Sequence, residues 1–158
     1  NPAMATGSLM DLGIYCVYPA IDLFGEPKTV SAVSAFLESG ADAATAVSML
    51  SKNTAITITS CKTGQDHAGS QIIGERGSIK IGSISKLTDI ELVMNDGTIR
   101  VICGDTPKDE LMGNEARAFY KLITEPENNR EKYRELREAV LSVSRTMQRI
   151  RESAGIKF

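Results

Sequence analysis

The sequence predicts an α+β fold in which helices cover one face of a mostly antiparallel β-sheet and leave the other face open. Apolar residues recur at spacings of three and four at both ends of the chain, which is the period of an amphipathic helix. Between Lys28 and Gly104 the period changes to two, as in half-buried strands. Short glycine-containing turns join these runs, and such turns connect antiparallel neighbours. The 158 residues, 42% of them hydrophobic, suffice for one domain with its own core.

The first predicted element is a helix over residues 8–24. Ser8 and Asp11 have the spacing of a capping box, so the helix is expected to begin near Ser8. Pro19 removes a backbone donor inside the helix and is expected to kink or loosen it. An apolar stripe is predicted to be buried, and it comprises Leu9, Leu12, Cys16, Ala20 and Leu23. A polar stripe lies on another face and comprises Asp11, Tyr15, Tyr18 and Asp22.

Seven strands are predicted in the middle of the chain, over residues 30–36, 44–50, 54–61, 70–73, 78–81, 90–94 and 98–103. Residues 74–77 (GERG) form a glycine-bounded turn, and residues 95–97 (NDG) are a strong hairpin signal. The sheet is expected to have one covered and one free face. Alternate positions assigned to the free face are Thr45, Val47, Met49, Thr57 and Thr59.

Two helices are predicted after Pro107. Asn114 is expected to cap the first, which stops before Pro126 and has Ala116, Phe119 and Ile123 on its inner side. The second runs from about residue 129 to 154 and is closed by Gly155. Its apolar seam comprises Tyr133, Leu136, Val140, Val143, Met147 and Ile150. Because the seam is only about three heptads long, a helix lying across the sheet is favoured over a coiled coil.

Composition excludes several classes of function. The net charge of −2 gives no basic field for nucleic acid, and no apolar run approaches the about 20 residues of a membrane helix. The single histidine, His67, excludes a histidine-rich metal site. Cys16, Cys61 and Cys103 are odd in number and far apart, which predicts buried free thiols and a cytoplasmic location. A chain that starts at Asn1 is interpreted as part of a longer protein.

Asp11 and Tyr15 are the leading candidates for chemistry. Residues four apart on a helix stack on one face, so a carboxylate and a phenol here can address one substrate together. Two structural explanations stay open: Asp11 can satisfy helix-end amides and Tyr15 can lie across the domain edge. Tyr18 on the same stripe is a candidate pocket residue. His67 belongs to a polar loop, and it is either solvated or a substrate contact.

Several segments resemble the C-terminal domain of the Gfo/Idh/MocA oxidoreductases, nearest to the glucose-fructose oxidoreductase and dihydrodiol dehydrogenase branch. Residues 7–15 (GSLMDLGIY) resemble the G-x-L-x-D-x-G-x-[HY] motif that opens this domain. Residues 73–79 (IGERGSI) resemble the family's hairpin motif, and residues 114–119 (NEARAF) resemble its E-x-x-x-F helix. Residues 151–155 (RESAG) resemble its final turn. The order and spacing of these segments are more specific than any one of them.

The resemblance implies that residues 1–158 are the substrate-binding and oligomerisation domain of an NAD- or NADP-dependent oxidoreductase acting on a sugar, polyol or dihydrodiol-like substrate. The dinucleotide and a catalytic lysine then belong to an N-terminal Rossmann domain, and this chain has no G-x-G-x-x-G motif. Asp11 would position the substrate hydroxyl or assist the lysine, and Tyr15 would act as acid or base. A free tyrosine has a pKa of about 10, which a nearby lysine ammonium lowers.

The resemblance further implies a homo-oligomer, expected to be a dimer formed through the free sheet face. The isolated fragment is expected to be catalytically inactive. Two alternatives remain open at this point. The domain can be a binding or assembly module that keeps the fold without catalysis, which a missing lysine upstream would favour. It can also be a standalone sheet-and-helix domain unrelated to any dehydrogenase.

Overall fold

The computed structural model describes residues 7–157 and confirms the α+β fold. A π-helical turn, Leu9–Gly13, leads directly into helix α1 (Ile14–Phe24). Helices α2 (Lys108–Thr124) and α3 (Arg130–Ser153) follow the strands. All seven predicted strands are confirmed: β1 (Thr29–Phe36), β2 (Asp42–Ser51), β3 (Thr54–Cys61), β4 (Ser70–Gly74), β5 (Gly77–Ser83), β6 (Thr88–Met94) and β7 (Ile99–Cys103). None of the described helices has the length and apolar character to cross a membrane.

The strands divide between two antiparallel sheets rather than one. The first sheet has the order β1-β2-β3, and the second has the order β4-β5-β6-β7. The chain likewise separates into two compact units, the first comprising Asn1–Gln65 with Arg134–Phe158 and the second Asp66–Tyr133. Both predicted hairpin turns are present, since β4 and β5 pair around residues 74–77 and Gly97 adopts a positive φ of 89° between β6 and β7.

The core of the first unit lies between one face of its sheet and the helices. Ala32, Val47, Met49 and Ile58 from the sheet form one buried cluster with Leu9, Val17, Ile21, Val143, Met147, Ile150 and Ile156. The C-terminal half of the α3 seam is therefore buried as predicted, whereas Tyr133 and Val140 are exposed. Gly155 follows α3 at a φ of 71°, as expected for a helix-terminating glycine.

The buried stripe predicted for the first helix is wrong in phase. Leu12 and Leu23 are exposed, while Leu9, Val17 and Ile21 are buried. The π-helical turn explains the error, because a π-helix has i→i+5 bonds and more residues per turn than the assumed α-helix. Buried positions consequently recur every four residues, at 9, 13, 17 and 21. Pro19 lies inside α1, which continues through it.

The free face assigned to the sheet is also corrected. Thr45, Val47 and Met49 are buried, because they share a face with Ile56 and Ile58 across the β2–β3 ladder. Thr57 and Thr59 pair instead with Ser48 and Ala46. The open face therefore comprises Ser31, Val33, Ala35, Ala44, Ala46, Ser48, Leu50, Ala55, Thr57, Thr59 and Cys61.

The loop after α1 is fastened to α3 through Glu26. The guanidinium of Arg145 forms an ion pair with Glu26 at 2.6 Å, and the Ser142 hydroxyl donates to the same carboxylate at 2.9 Å. The Arg145 contact, with help from Ser142, lowers the pKa of Glu26. Arg149 adds hydrogen bonds to the carbonyls of Pro27 and Lys28. These contacts tie the segment between α1 and β1 to α3.

The second unit departs from prediction at α2. This helix begins after Pro107 rather than at Asn114, whose side chain instead accepts a hydrogen bond from Arg117 at 2.7 Å. Phe119 and Ile123, expected on an inner side, are exposed. Ala116 is exposed as well. None of the three cysteines forms a disulfide, but the predicted burial is not found: Cys61 is exposed, and Cys16 and Cys103 are only partly buried.

Candidate functional site

A buried carboxylate caps the start of the first helix. The side chain of Asp42, at the beginning of β2, accepts a hydrogen bond from the backbone N–H of Leu9 at 2.7 Å. Asp42 is only 3% exposed. A carboxylate at this place satisfies one of the free helix amides and complements the positive end of the helix dipole. Asp42 therefore performs the capping role that the sequence assigned to Ser8 and Asp11.

A chain of hydroxyl groups supports the buried carboxylate. The Thr45 hydroxyl donates to Asp42 at 3.2 Å and lies 2.7 Å from the Ser34 hydroxyl. Because Thr45 uses its single hydroxyl proton in the hydrogen bond to Asp42, Ser34 is the donor in the hydrogen bond to Thr45. The predicted capping box is absent, since the Ser8 side chain makes no cap bond and donates instead to Ser60 on β3 at 2.8 Å.

Gly7 is required by the same arrangement. A Cβ at this position would lie 2.5 Å from the Asp42 Cγ and would overlap the carboxylate. The glycine that opens the motif thus leaves room for Asp42 to reach the Leu9 amide. Its role is a close approach between two segments that are distant in sequence.

Asp11 and Tyr15 lie on the outer side of this segment. Asp11 belongs to the π-helical turn and its side chain is 57% exposed, while Tyr15 belongs to the first turn of α1 and is 50% exposed. Within residues 7–157 the Tyr15 hydroxyl has no hydrogen-bond partner. Both groups are therefore available to a molecule that approaches this face.

The structure adds a cation that the sequence analysis missed. The ammonium of Lys62 lies 2.7 Å from the Asp11 Oδ2. Lys62 directly follows β3, and its backbone N–H donates to the Ala43 carbonyl at 2.8 Å, which extends the β2–β3 ladder by one residue. Only the register of β3 against the helix start brings Lys62 to Asp11, so no local pattern in the sequence identifies it.

The other two predicted residues occupy different surroundings. Tyr18 is partly buried and packs against the core of the first unit. It lies three residues beyond Tyr15 on the same helix. His67 belongs to the second unit, where it lines a cavity of about 570 Å³ together with Gln71, Lys80 and Glu91. His67 is exposed. No set of three or more His, Cys, Asp or Glu side chains arranged for a metal ion occurs in the described part of the chain.

Comparison with known proteins relates the chain to oxidoreductases. Residues 1–156 match the family model described as "Oxidoreductase family, C-terminal alpha/beta domain". The chain is 34% identical over 158 residues to scyllo-inositol 2-dehydrogenase (NADP(+)) IolU of Bacillus subtilis (strain 168), covering all of this chain and 47% of that protein. It is 42% identical over 86 residues to the uncharacterized oxidoreductase YgjR of Escherichia coli (strain K12), covering 54% of this chain and 26% of YgjR.

The fold has solved counterparts. The UDP-N-acetylglucosamine 3-dehydrogenase GnnA of Acidithiobacillus ferrooxidans superposes with a TM-score of 0.73 at 15% identity, over 94% of this chain and 47% of GnnA. The oxidoreductase yvaA of Bacillus subtilis superposes with a TM-score of 0.69 at 17% identity, over 96% of this chain and 50% of yvaA. The chain thus spans about half the length, or less, of each of these relatives.

Proposed function

Since the chain belongs to the Gfo/Idh/MocA oxidoreductase family, as its C-terminal α/β domain, we propose that the complete protein transfers hydride between a nicotinamide cofactor and a sugar or polyol hydroxyl. The observation that carries the proposal is the outer face of the first helix. There an exposed carboxylate, Asp11, is paired with a cation, and the free phenol of Tyr15 follows one turn later.

The described residues do not fit a dinucleotide by themselves. Every strand pair in residues 7–157 is antiparallel, whereas a dinucleotide fold binds its ligand at the carboxyl ends of parallel strands beside a glycine-rich turn. NAD or NADP is proposed to be held by an N-terminal Rossmann domain of the complete protein, as the family implies. The isolated chain is accordingly proposed to be inactive.

The proposed contribution of this chain is handling of the hydroxyl proton. Oxidation of an alcohol removes a hydride from carbon and a proton from oxygen, and the nicotinamide, when bound, accepts the hydride. Asp11 is proposed to accept a hydrogen bond from the substrate hydroxyl and so to orient it. Tyr15 is proposed to exchange the proton, with the family's Rossmann-domain lysine beside it. Tyr18 and His67 are proposed substrate contacts.

The first substrate to test is scyllo-inositol, because the curated relative that matches the whole chain is named for it. With the complete protein, NAD or NADP and a panel of inositols and sugars, absorbance at 340 nm reports reduced cofactor. If the complete protein turns over no member of the panel, that result supports the alternative of a binding or assembly module that has lost catalysis.

Asp11→Asn and Tyr15→Phe are each expected to lower kcat by at least about tenfold, because each removes a group that orients or exchanges the hydroxyl proton. Asp22→Asn and Tyr133→Phe make the same chemical changes at exposed positions outside the proposed site and are expected to leave kcat unchanged. Wild-type turnover in both Asp11→Asn and Tyr15→Phe would remove this mechanism.

We also propose that two copies associate through the open face of the first sheet. The side chains on this face are all uncharged and most are small, including Ala46, Ser48, Thr57 and Thr59. Val33, 69% exposed, and Leu50, 40% exposed, add apolar area that association would bury. Three cysteines that form no disulfide suit a reducing compartment, and we propose a cytoplasmic location.

Ala46→Arg is expected to convert the dimer to a monomer, because it places a charge at the centre of the face where burial is costly. The molar mass of the complete protein, measured by light scattering after gel filtration, checks this. Asn53→Arg adds the same charge at the β2–β3 turn and is expected to remain a dimer. A dimeric Ala46→Arg variant would contradict this interface.

A further inference from the structure

The pair formed by Lys62 and Asp11 has an asymmetric geometry. The Lys62 ammonium contacts Oδ2 of Asp11 at 2.7 Å, and among the described residues no second group bonds to the Asp11 side chain. Oδ1 therefore stays open on a carboxylate that is 57% exposed. One oxygen is held by the cation, while the other can accept a hydrogen bond from a molecule at the surface.

The two partners differ in how firmly they are held. Lys62 is tied to β2 through its backbone, and its side chain is 31% exposed. Asp11 belongs to the short π-helical turn, and without a partner its carboxylate can rotate among several rotamers. A charge-assisted contact to an ammonium on the sheet restricts that rotation.

Folding does not explain the pair well. Ion pairs between exposed side chains contribute little to stability, since solvent screens them and ordering two side chains costs entropy. The network under the helix, which includes Asp42 and Leu9, is separate from the pair and already holds the helix start. The pair is thus placed where it affects a surface ligand more than it affects folding.

We propose that Lys62 is a positioning residue for Asp11: it holds the carboxylate in one orientation, with Oδ1 turned to accept a substrate hydroxyl. This inference rests on the proposed function, because it deepens the role of Asp11 in that reaction. The pair has no net charge, so the arrangement suits a neutral polyol rather than an anionic substrate.

The test uses Lys62→Met and Lys62→Arg in the complete protein, assayed with the polyol of the panel that the unaltered protein oxidises fastest. Lys62→Met is expected to lower kcat/KM about tenfold, and Lys62→Arg is expected to recover most of the loss because it restores a cation. The melting temperature is expected to change by less than about 2 °C. Lys28→Met removes an exposed lysine elsewhere in the first unit and is expected to be silent.

Combination with Asp11→Asn separates the possible failures. If Lys62 acts through Asp11, adding Lys62→Met to Asp11→Asn lowers kcat/KM no further. Three outcomes would each overturn the positioning role alone. The first is a full second loss in the double variant, and the second is wild-type activity of Lys62→Met beside an impaired Asp11→Asn. The third is a Lys62→Met defect accompanied by a clear loss of thermal stability. Wild-type activity of Asp11→Asn would overturn this inference, and wild-type activity of both Asp11→Asn and Tyr15→Phe would overturn the proposed mechanism as well.

Discussion

Replacing Asp42 with alanine is expected to lower the free energy of unfolding by about 2–3 kcal/mol, since a helix cap is lost and a buried amide is left without a partner. The affected groups are the Leu9 N–H, which Asp42 accepts at 2.7 Å, and the Thr45 hydroxyl at 3.2 Å. Relief of the desolvated carboxylate offsets part of the loss. Urea unfolding monitored by circular dichroism measures the change.

Two further variants control this result. Asp42→Asn keeps a side-chain oxygen in place and is expected to retain part of the lost stability. Asp22→Ala removes an exposed carboxylate from α1 and is expected to change the free energy of unfolding by less than about 0.5 kcal/mol. An Asp42→Ala variant as stable as the Asp22→Ala variant would show that the buried carboxylate does not hold the helix.

Asp42→Ala is also expected to impair the proposed reaction, although Asp42 is not proposed to contact the substrate. Asp11 and Tyr15 lie two and six residues beyond Leu9, on the segment whose start Asp42 fixes. A helix start that frays moves both side chains relative to a bound substrate, and misplacement by about 1 Å is costly to catalysis. The buried cap and the exposed candidate residues are therefore two sides of one short segment.

Local patterns predicted the elements of this fold well. Alternation and turn chemistry are properties of neighbouring residues, so all seven strands and the turn at Gly97 could be predicted. The division into two sheets could not, because it depends on which strands pair. β3 ends at Cys61 and β4 begins at Ser70, and the two strands belong to different sheets. The alternation of apolar and polar residues in each strand does not indicate which other strand it pairs with.

The first helix shows how one local irregularity misdirects a correct pattern. Its existence and its polar face, with Asp11 and Tyr15, were predicted from spacing. The phase of its buried face was not, since the π-helical turn at Leu9–Gly13 rotates every later residue relative to an α-helix. Lys62 and Asp42 were missed for a different reason: each reaches the helix only through the tertiary packing of the sheet beneath it.

Gly7→Ala is expected to lower the free energy of unfolding by about 2–3 kcal/mol, which combines overpacking with loss of the Asp42 contact. The added Cβ would lie 2.5 Å from the Asp42 Cγ, so the carboxylate must move away from the Leu9 amide. Chemical unfolding of the single variant measures the cost. Gly64→Ala, in the exposed loop after β3, is the matched control and is expected to cost much less, because its Cβ meets only the Cys61 Sγ at 3.6 Å.

The double variant, Gly7→Ala with Asp42→Ala, decides whether Gly7 is needed to leave room for the Asp42 carboxylate. With Asp42→Ala the carboxylate is gone and the space beside residue 7 is open, so Gly7→Ala is expected to cost less than about 1 kcal/mol in that background. The two effects are then strongly non-additive, which requires direct contact between the sites. Additive losses would mean that Gly7 is needed for its backbone alone. The glycine that opens the motif would then have no role in admitting the carboxylate that caps the helix.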